Sequence, residues 1–173
     1  MLIKTYKTEH YQDYKLPSMF IACSRCSFKC DKECGKRVCQ NSALARSPDI
    51  TIPVREIVDQ YNANPITKAM VLGGLEPFDT PTDVFGLIWS LRLSGCKDDV
   101  IIYTGYTEQE VQKLRYQIGD ESFSLLNLMQ NLLCPFIIKY GRYIPNQQPH
   151  YDGVLGVNLA SDNQYAVRYE NAN

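Results

Sequence analysis

Ala69-Met70-Val71-Leu72-Gly73-Gly74-Leu75-Glu76-Pro77 is the stretch on which the fold turns. Four apolar residues run without alternation into a glycine pair, and Thr80-Pro81 follows soon after. An unbroken apolar run of this length marks a strand buried on both faces. Threonine before proline marks a helix entry, with Thr80 as N-cap and Pro81 at the first helical position. Val84, Leu87, Ile88 and Leu91 then recur on one helical face, and Gly95 suits the C-terminal cap. The stretch therefore reads as strand, glycine turn, helix.

The same unit recurs on either side. Ser18-Met19-Phe20-Ile21-Ala22 is an apolar strand that runs straight into a loop of cysteines. Thr51-Ile52-Pro53 opens a helix with Val54, Ile57, Val58 and Tyr61 on one face, stopped by Asn62 to Pro65. Val100-Ile101-Ile102-Tyr103 is a third strand, and Thr107 with Glu110 forms a capping box for the helix after it. Ser122 to Leu133 reads as a further helix and Phe136-Ile137-Ile138-Lys139 as a fourth strand. Gly153 to Val157 and Gln164 to Arg168 read as closing strands. Strands that alternate with helices imply parallel pairing through right-handed crossovers. Four to six strands are too few for a closed eight-stranded barrel, so the expected class is α/β, an open, partial (β/α) barrel with a mostly parallel sheet. Ligands of such sheets gather at the C-terminal strand ends. There lie the cysteine loop, the Gly73–Pro77 turn and Thr104-Gly105-Tyr106.

Bulk properties narrow the function. With 173 residues the chain is expected to be one domain, 1–173, long enough to bury a core without disulfide staples. A net charge of −1 gives no electrostatic footprint for nucleic acid. No apolar run approaches the roughly 20 residues of a membrane span, and Met1 to Tyr6 lacks a signal-peptide core, so a cytoplasmic protein is expected.

Cysteine is the unusual residue. Seven are present, and five crowd into Cys23-x2-Cys26-x3-Cys30-x3-Cys34-x4-Cys39. In a reducing compartment such crowding points to metal or redox chemistry rather than disulfides. Spacing alone leaves three readings open: a thiolate-held iron–sulfur cluster, a structural zinc site lacking its second C-x2-C knuckle, or a Cys23/Cys26 dithiol. Cys96 and Cys134 read as buried structural thiols. His10 and His150 read as surface residues, and Lys29, Lys32, Lys36 and Arg37 as a solvated loop face. Tyr140-Gly141-Arg142-Tyr143 reads equally as a guide for a partner loop or as a polar edge strand.

The order of motifs resembles one family. Cys26-Ser27-Phe28-Lys29-Cys30 is similar to the start of the radical-SAM cysteine motif C-x3-C-x2-C, and Cys39-Gln40-Asn41 to its end in the activating proteins of anaerobic (class III) ribonucleotide reductase. Gly73-Gly74-Leu75-Glu76-Pro77 resembles the Gly-Gly-Glu-Pro motif of that family with Leu75 inserted. Thr104-Gly105-Tyr106 resembles its Thr-Gly-Tyr, and Ser161-Asp162-Asn163-Gln164 its Ser-x-Asn-Gln. Two departures stand out. Eight residues, Asp31 to Val38, separate Cys30 from Cys39 where the family has two, and Val38 stands where an aromatic residue precedes the third cysteine.

The resemblance implies a [4Fe–4S] cluster held by Cys26, Cys30 and Cys39, with Cys34 as the alternative to Cys39. It implies S-adenosyl-L-methionine as second cofactor, beside Gly73, Gly74, Glu76, Thr104, Tyr106 and Asn158, with Asn163 and Gln164 as candidates for ribose or partner backbone. The open iron would chelate the amino and carboxylate groups of S-adenosylmethionine, with Cys23 and Cys34 as spectators. The implied reaction is hydrogen abstraction from a glycine in the large catalytic subunit of the reductase, and the implied partners are that subunit and a cytosolic electron donor.

Overall fold

A computed structural model describes residues 1–170. Its centre is a seven-stranded sheet in the order β11-β8-β5-β4-β2-β1-β3. The four inner strands, β2 (Ser18–Cys23), β4 (Ala69–Gly73), β5 (Asp99–Tyr103) and β8 (Phe136–Tyr140), run parallel to one another. These are the four apolar runs of the sequence. Three antiparallel strands flank them: β1 (Leu2–His10) and β3 (Ile50–Thr51) on one side, β11 (Tyr165–Tyr169) on the other. The result is a mixed α/β fold around a large, mostly parallel sheet.

The two faces of the sheet are covered differently. Met70, Leu72, Val100, Ile102, Phe136 and Ile138 share one core with the helices α3 (Val54–Ala63), α4 (Pro81–Leu93), α5 (Glu108–Lys113) and α6 (Leu125–Leu132). Alternate residues of the same strands, Ala69, Val71, Ile101 and Ile137, face a smaller cluster with Tyr14, Leu155 and Leu159. Leu159 belongs to the hairpin β9 (His150–Asp152) and β10 (Val157–Leu159), and Leu155 to its turn. Because strand side chains alternate in direction, one parallel run builds both cores. Toward the C-terminal strand ends this second face carries Phe20, Gly73, Tyr103 and Lys139 in place of aliphatic residues. That is where the cover gives way to a cavity.

Several local expectations change. Ser122 to Leu133 is not one helix. Arg115–Ile118 (β6) and Glu121–Ser124 (β7) form a hairpin about Gly119-Asp120, and Ser124 Oγ then caps α6 by accepting from Asn127 N–H. Gly153 to Val157 is mostly turn. Asp152 Oδ1 accepts from Val154 and Leu155 N–H, an Asx turn that reverses the chain there. Thr80 precedes α4, but its hydroxyl donates to Pro77 carbonyl because a 3-10 turn (Pro77–Asp79) runs directly into the helix. The Thr107–Glu110 capping box is present in both directions. His10 is largely buried, not at the surface: its ring packs on Phe20 and its Nε2 meets Asp13 Oδ2 at 2.7 Å. His150 is half-buried. Cys134 is buried as expected, whereas Cys96 is half-buried. Among the described residues no helix is long and apolar enough to cross a membrane.

Candidate metal and cofactor site

The loop after β2 folds back on itself. Phe28 takes a left-handed conformation, φ 53°, before a short helix, α1 (Lys29–Cys34), which Gly35 ends at φ 64°. A non-glycine residue at positive φ costs about 1–3 kcal/mol, and here it turns the chain directly into the helix that carries Cys30. Cys26 Sγ accepts the Phe28 N–H at 3.3 Å. The long insert between Cys30 and Cys39 is closed by one side chain: Asp31 Oδ1 accepts from both Val38 and Cys39 N–H at 2.7 and 2.8 Å. Asp31 thus returns Cys39 to the first two thiols. Asn41, at the N-cap of α2 (Ser42–Arg46), donates through Nδ2 to Gly74 carbonyl at 2.5 Å, and Glu76 N–H donates to Arg25 carbonyl at 2.8 Å. The cysteine loop and the glycine turn are stitched together at both ends.

Between them lies a cavity of ≈ 400 Å³ at the C-terminal ends of the parallel strands, on the helix-free face. Cys26, Cys30 and Cys39 line it together with Gly73, Gly74, Glu76, Thr104 and Asn158. Cys34, one helical turn beyond Cys30, does not line it, and Cys23 is buried in the helix-side core. Tyr106 is also outside the cavity wall. Its ring lies in the core and its hydroxyl donates to Asp79 Oδ1 at 2.5 Å. Gln164 does line the cavity, its Nε2 donating to Gly141 carbonyl, and Asn163 Nδ2 donates to Arg142 carbonyl.

The electrostatics of the cavity are set by burial. Glu76 is 6 % exposed. Its Oε1 accepts from Thr104 Oγ1 at 2.6 Å and from Phe78 N–H at 3.1 Å, and its Oε2 accepts from Gly105 N–H at 2.8 Å. Burial pushes its pKa up to about 6, with those three donors pulling the other way. Lys139, missed in the sequence, faces the same cavity. Burial pushes its ammonium down to about 8, and it donates to Gly141 carbonyl at 2.8 Å. The signal was a lysine at the end of an otherwise apolar buried strand. Gln12, Asp13, Tyr103 and Tyr143 also line the cavity and had no local signature. Burial also pushes the Cys26 thiol up to about 11 and the Cys30 thiol upward. Free, these sulfurs hold their protons, so metal binding must displace them.

Two expectations about neighbouring charges are corrected. Lys29 is not part of a solvated face: its ammonium sits 3.8 Å from the Tyr106 ring centroid and 3.2 Å from Glu110 Oε1. Lys32, Lys36 and Arg37 are exposed, as expected. Tyr140–Tyr143 is not a polar edge strand either. Tyr140 is fully buried within β8. Arg142 is 7 % exposed and reaches Glu110 Oε1 at 2.7 Å and Glu33 Oε1 at 3.2 Å.

Glu76 makes the apo protein pH-sensitive in a defined window. A carboxyl with a folded pKa of about 6 and an ordinary value of 4.5 keeps its proton in the folded state while the unfolded chain has released it. Stability contributed by this group therefore falls as pH rises from about 4.5 to about 6, by about 2 kcal/mol. Glu110 acts in a separate window, because the Arg142 guanidinium holds its carboxyl down at about 2 and that contribution is lost only as pH falls below 4.5. Denaturant titrations of apo protein at several pH values should show the decline above pH 4.5 in wild type and its absence in Glu76→Gln. A decline of equal size in the variant would assign it elsewhere.

A mononuclear metal site needs several ligands converging on one point, and among the described residues no three His, Cys, Asp or Glu side chains do so. A cluster makes a different demand. Each thiolate meets its own iron, so the sulfurs must line a space wide enough for a cubane rather than close on a point. Three thiols around one cavity, with glycine backbone opposite, fit that demand. No curated protein and no solved structure matches this chain. A family model does: the 4Fe-4S single cluster domain matches residues 18–146, from β2 through the whole cysteine loop to just past β8. The chain belongs to this family of 4Fe-4S single cluster domains.

Proposed function

We propose that Cys26, Cys30 and Cys39 hold one [4Fe–4S] cluster, that S-adenosylmethionine binds beside it in the cavity, and that the protein installs a glycyl radical on the large subunit of an anaerobic ribonucleotide reductase. One observation carries the proposal: three thiols of a single loop, and not the other two, line a cavity shared with the Gly73–Glu76 turn and Thr104. Three thiolates on four irons leave one iron free for a small-molecule ligand. When both groups are bound they supply a one-electron cleavage of the sulfonium to methionine and a 5′-deoxyadenosyl radical, which takes a hydrogen atom from a glycine Cα and leaves as 5′-deoxyadenosine. The electron comes from an external cytosolic donor.

The rest falls to the chain. The methionine end of S-adenosylmethionine is a zwitterion, and the cavity offers one buried anion, Glu76, and one buried cation, Lys139. Charge-assisted hydrogen bonds of this kind are worth about 1.5–3 kcal/mol. The glycines bring backbone rather than side chain to the ligand. Phe20 and Tyr103 give one part of the wall an apolar surface against which the reacting end would be held away from water. Asn158, an exposed residue of the cavity lining, would meet the ribose of the cofactor or a partner loop. The open (β/α) barrel of this reading is supported by the four parallel inner strands and the helices between them.

Calorimetry of S-adenosylmethionine on anaerobically reconstituted protein tests the cofactor. Lys139→Met should keep its iron and sulfide and bind roughly tenfold to a hundredfold more weakly, as loss of one charge-assisted bond requires. Wild-type protein that carries its cluster and binds no S-adenosylmethionine would remove the radical reading. Unchanged affinity in Lys139→Met would remove the role given to Lys139.

A further inference from the structure

Arg142 has a donor to spare at the cluster loop. Its Nη2 is engaged by Glu110 and Glu33, yet its Nε is buried and has no hydrogen-bond partner. A buried unpaired N–H costs about 1–3 kcal/mol, more on a charged group, so an orphan here calls for an acceptor supplied at the site. The neighbourhood identifies one. A Cβ placed on Gly105 would lie 3.5 Å from Glu76 Oε2, 3.6 Å from Arg142 Cγ and 3.7 Å from Cys30 Sγ, so carboxylate, arginine side chain and sulfur flank the same point, and Glu76 Oε2 is already taken up by Gly105 N–H. Bound to iron, the Cys30 sulfur is a thiolate and a good hydrogen-bond acceptor.

The chain goes to some length to hold Arg142 there. Gly141, at φ 94°, leaves no room for a Cβ, which would meet Asn163 carbonyl at 2.8 Å. Gln164 Nε2 and Lys139 Nζ both donate to Gly141 carbonyl, Asn163 Nδ2 donates to Arg142 carbonyl, and Ser161 Oγ accepts from Ile144 N–H. The Ser161–Gln164 segment thus fixes the backbone on both sides of Arg142. Glu110, on α5, then sets the direction of the guanidinium.

We propose that Arg142 Nε–H donates a hydrogen bond to the Cys30 thiolate of the bound cluster, so that Arg142 positions that ligand and raises the cluster's reduction potential. The inference rests on the cluster ligands proposed above but on neither S-adenosylmethionine nor the partner. Hydrogen bonds to cluster sulfurs and nearby positive charge both stabilise the reduced state. Ser161–Gln164 acquires a role through it: the motif holds the arginine.

The test uses full-length protein grown with ¹⁵N-labelled arginine, reconstituted with iron and sulfide, and reduced without S-adenosylmethionine. Pulsed electron paramagnetic resonance should show a ¹⁵N coupling from arginine to the reduced cluster. Arg142→Lys, which keeps the charge and loses Nε, should lack that coupling. Its reduction midpoint should fall by about 59 mV, a tenfold change in the reduced-to-oxidised ratio of a one-electron couple. Should Arg142→Lys fail to assemble a cluster, the coupling in labelled wild type still decides the matter. A wild-type cluster without arginine coupling, or a loaded Arg142→Lys with unchanged coupling and midpoint, would overturn the inference and leave the proposed function standing. Protein that assembles no cluster would remove the acceptor, and both readings with it.

Discussion

Cys39→Ala protein, reconstituted anaerobically, is expected to hold no [4Fe–4S] cluster, whereas Cys34→Ala retains full iron and sulfide. The two cysteines were rivals on spacing, since Cys30-x3-Cys34 is the shorter step. Geometry separates them. Cys34 rides one helical turn away from the cavity, and Cys39 is brought back to it by the two hydrogen bonds to Asp31. Cys26→Ala and Cys30→Ala should behave like Cys39→Ala. Cys23→Ala should keep the cluster and lose about 1 kcal/mol of stability, because its sulfur is packed in the core. Asp31→Ala should mimic partial loss of Cys39: the insert loses its tie, and cluster content after mild chelation should drop. Iron and sulfide retained in Cys39→Ala and lost in Cys34→Ala would reverse the ligand set.

Gly74→Ala should strongly destabilise the protein. Gly74 sits at φ 73°, where a side chain costs about 1–2 kcal/mol. A Cβ there would also lie 2.8 Å from Ala22 Cβ, 3.1 Å from Ala22 Cα and 3.0 Å from Leu44 Cδ2. Two of those atoms belong to the end of β2, which cannot yield as a flexible side chain would. Overpacking adds about 1–3 kcal/mol. The sum, about 2–5 kcal/mol, should lower Tm by about 5–15 °C in a chain of this size. It should also push β2 and α2 away from the glycine turn and weaken cluster assembly. Gly95→Ala is the control, since Gly95 has φ 87° but nothing within 4 Å of a Cβ. Its cost should be the backbone term alone. Equal melting points for the two variants would mean that the close approach of Gly74 to β2 is not what requires glycine.

The inner strands were legible because burial on both faces leaves an unbroken apolar run, and β2, β4, β5 and β8 all carry one. The outer pieces were not. β1 mixes Lys7 and Glu9, which are exposed, and a buried Lys4 with apolar residues, so it carries no unbroken apolar run. In Glu121–Ser124 the helical reading of the following apolar segment ran over a hairpin whose only mark is Gly119-Asp120. The site divides the same way. Cys26, Cys30, Cys39 and the glycine turn are contiguous motifs, visible in one dimension. Lys139, Asp79 and Arg142 acquire meaning only when β8, the 3-10 turn and α5 are brought together. Tyr106 shows the converse: its motif is local, but its side chain turns into the core and leaves the cavity wall to Thr104 and Gly105. Asp31 explains why an eight-residue insert still delivers its cysteine, and nothing in the spacing foretold it.

The most direct test of the proposed activity combines the reduced, cluster-loaded protein with S-adenosylmethionine and the large subunit of an anaerobic ribonucleotide reductase from the same source, without oxygen. Electron paramagnetic resonance should show the doublet of a glycyl radical on the partner, with methionine and 5′-deoxyadenosine formed alongside it and formed slowly when the partner is left out. Cleavage of S-adenosylmethionine with no glycyl radical on the partner would contradict the activase assignment.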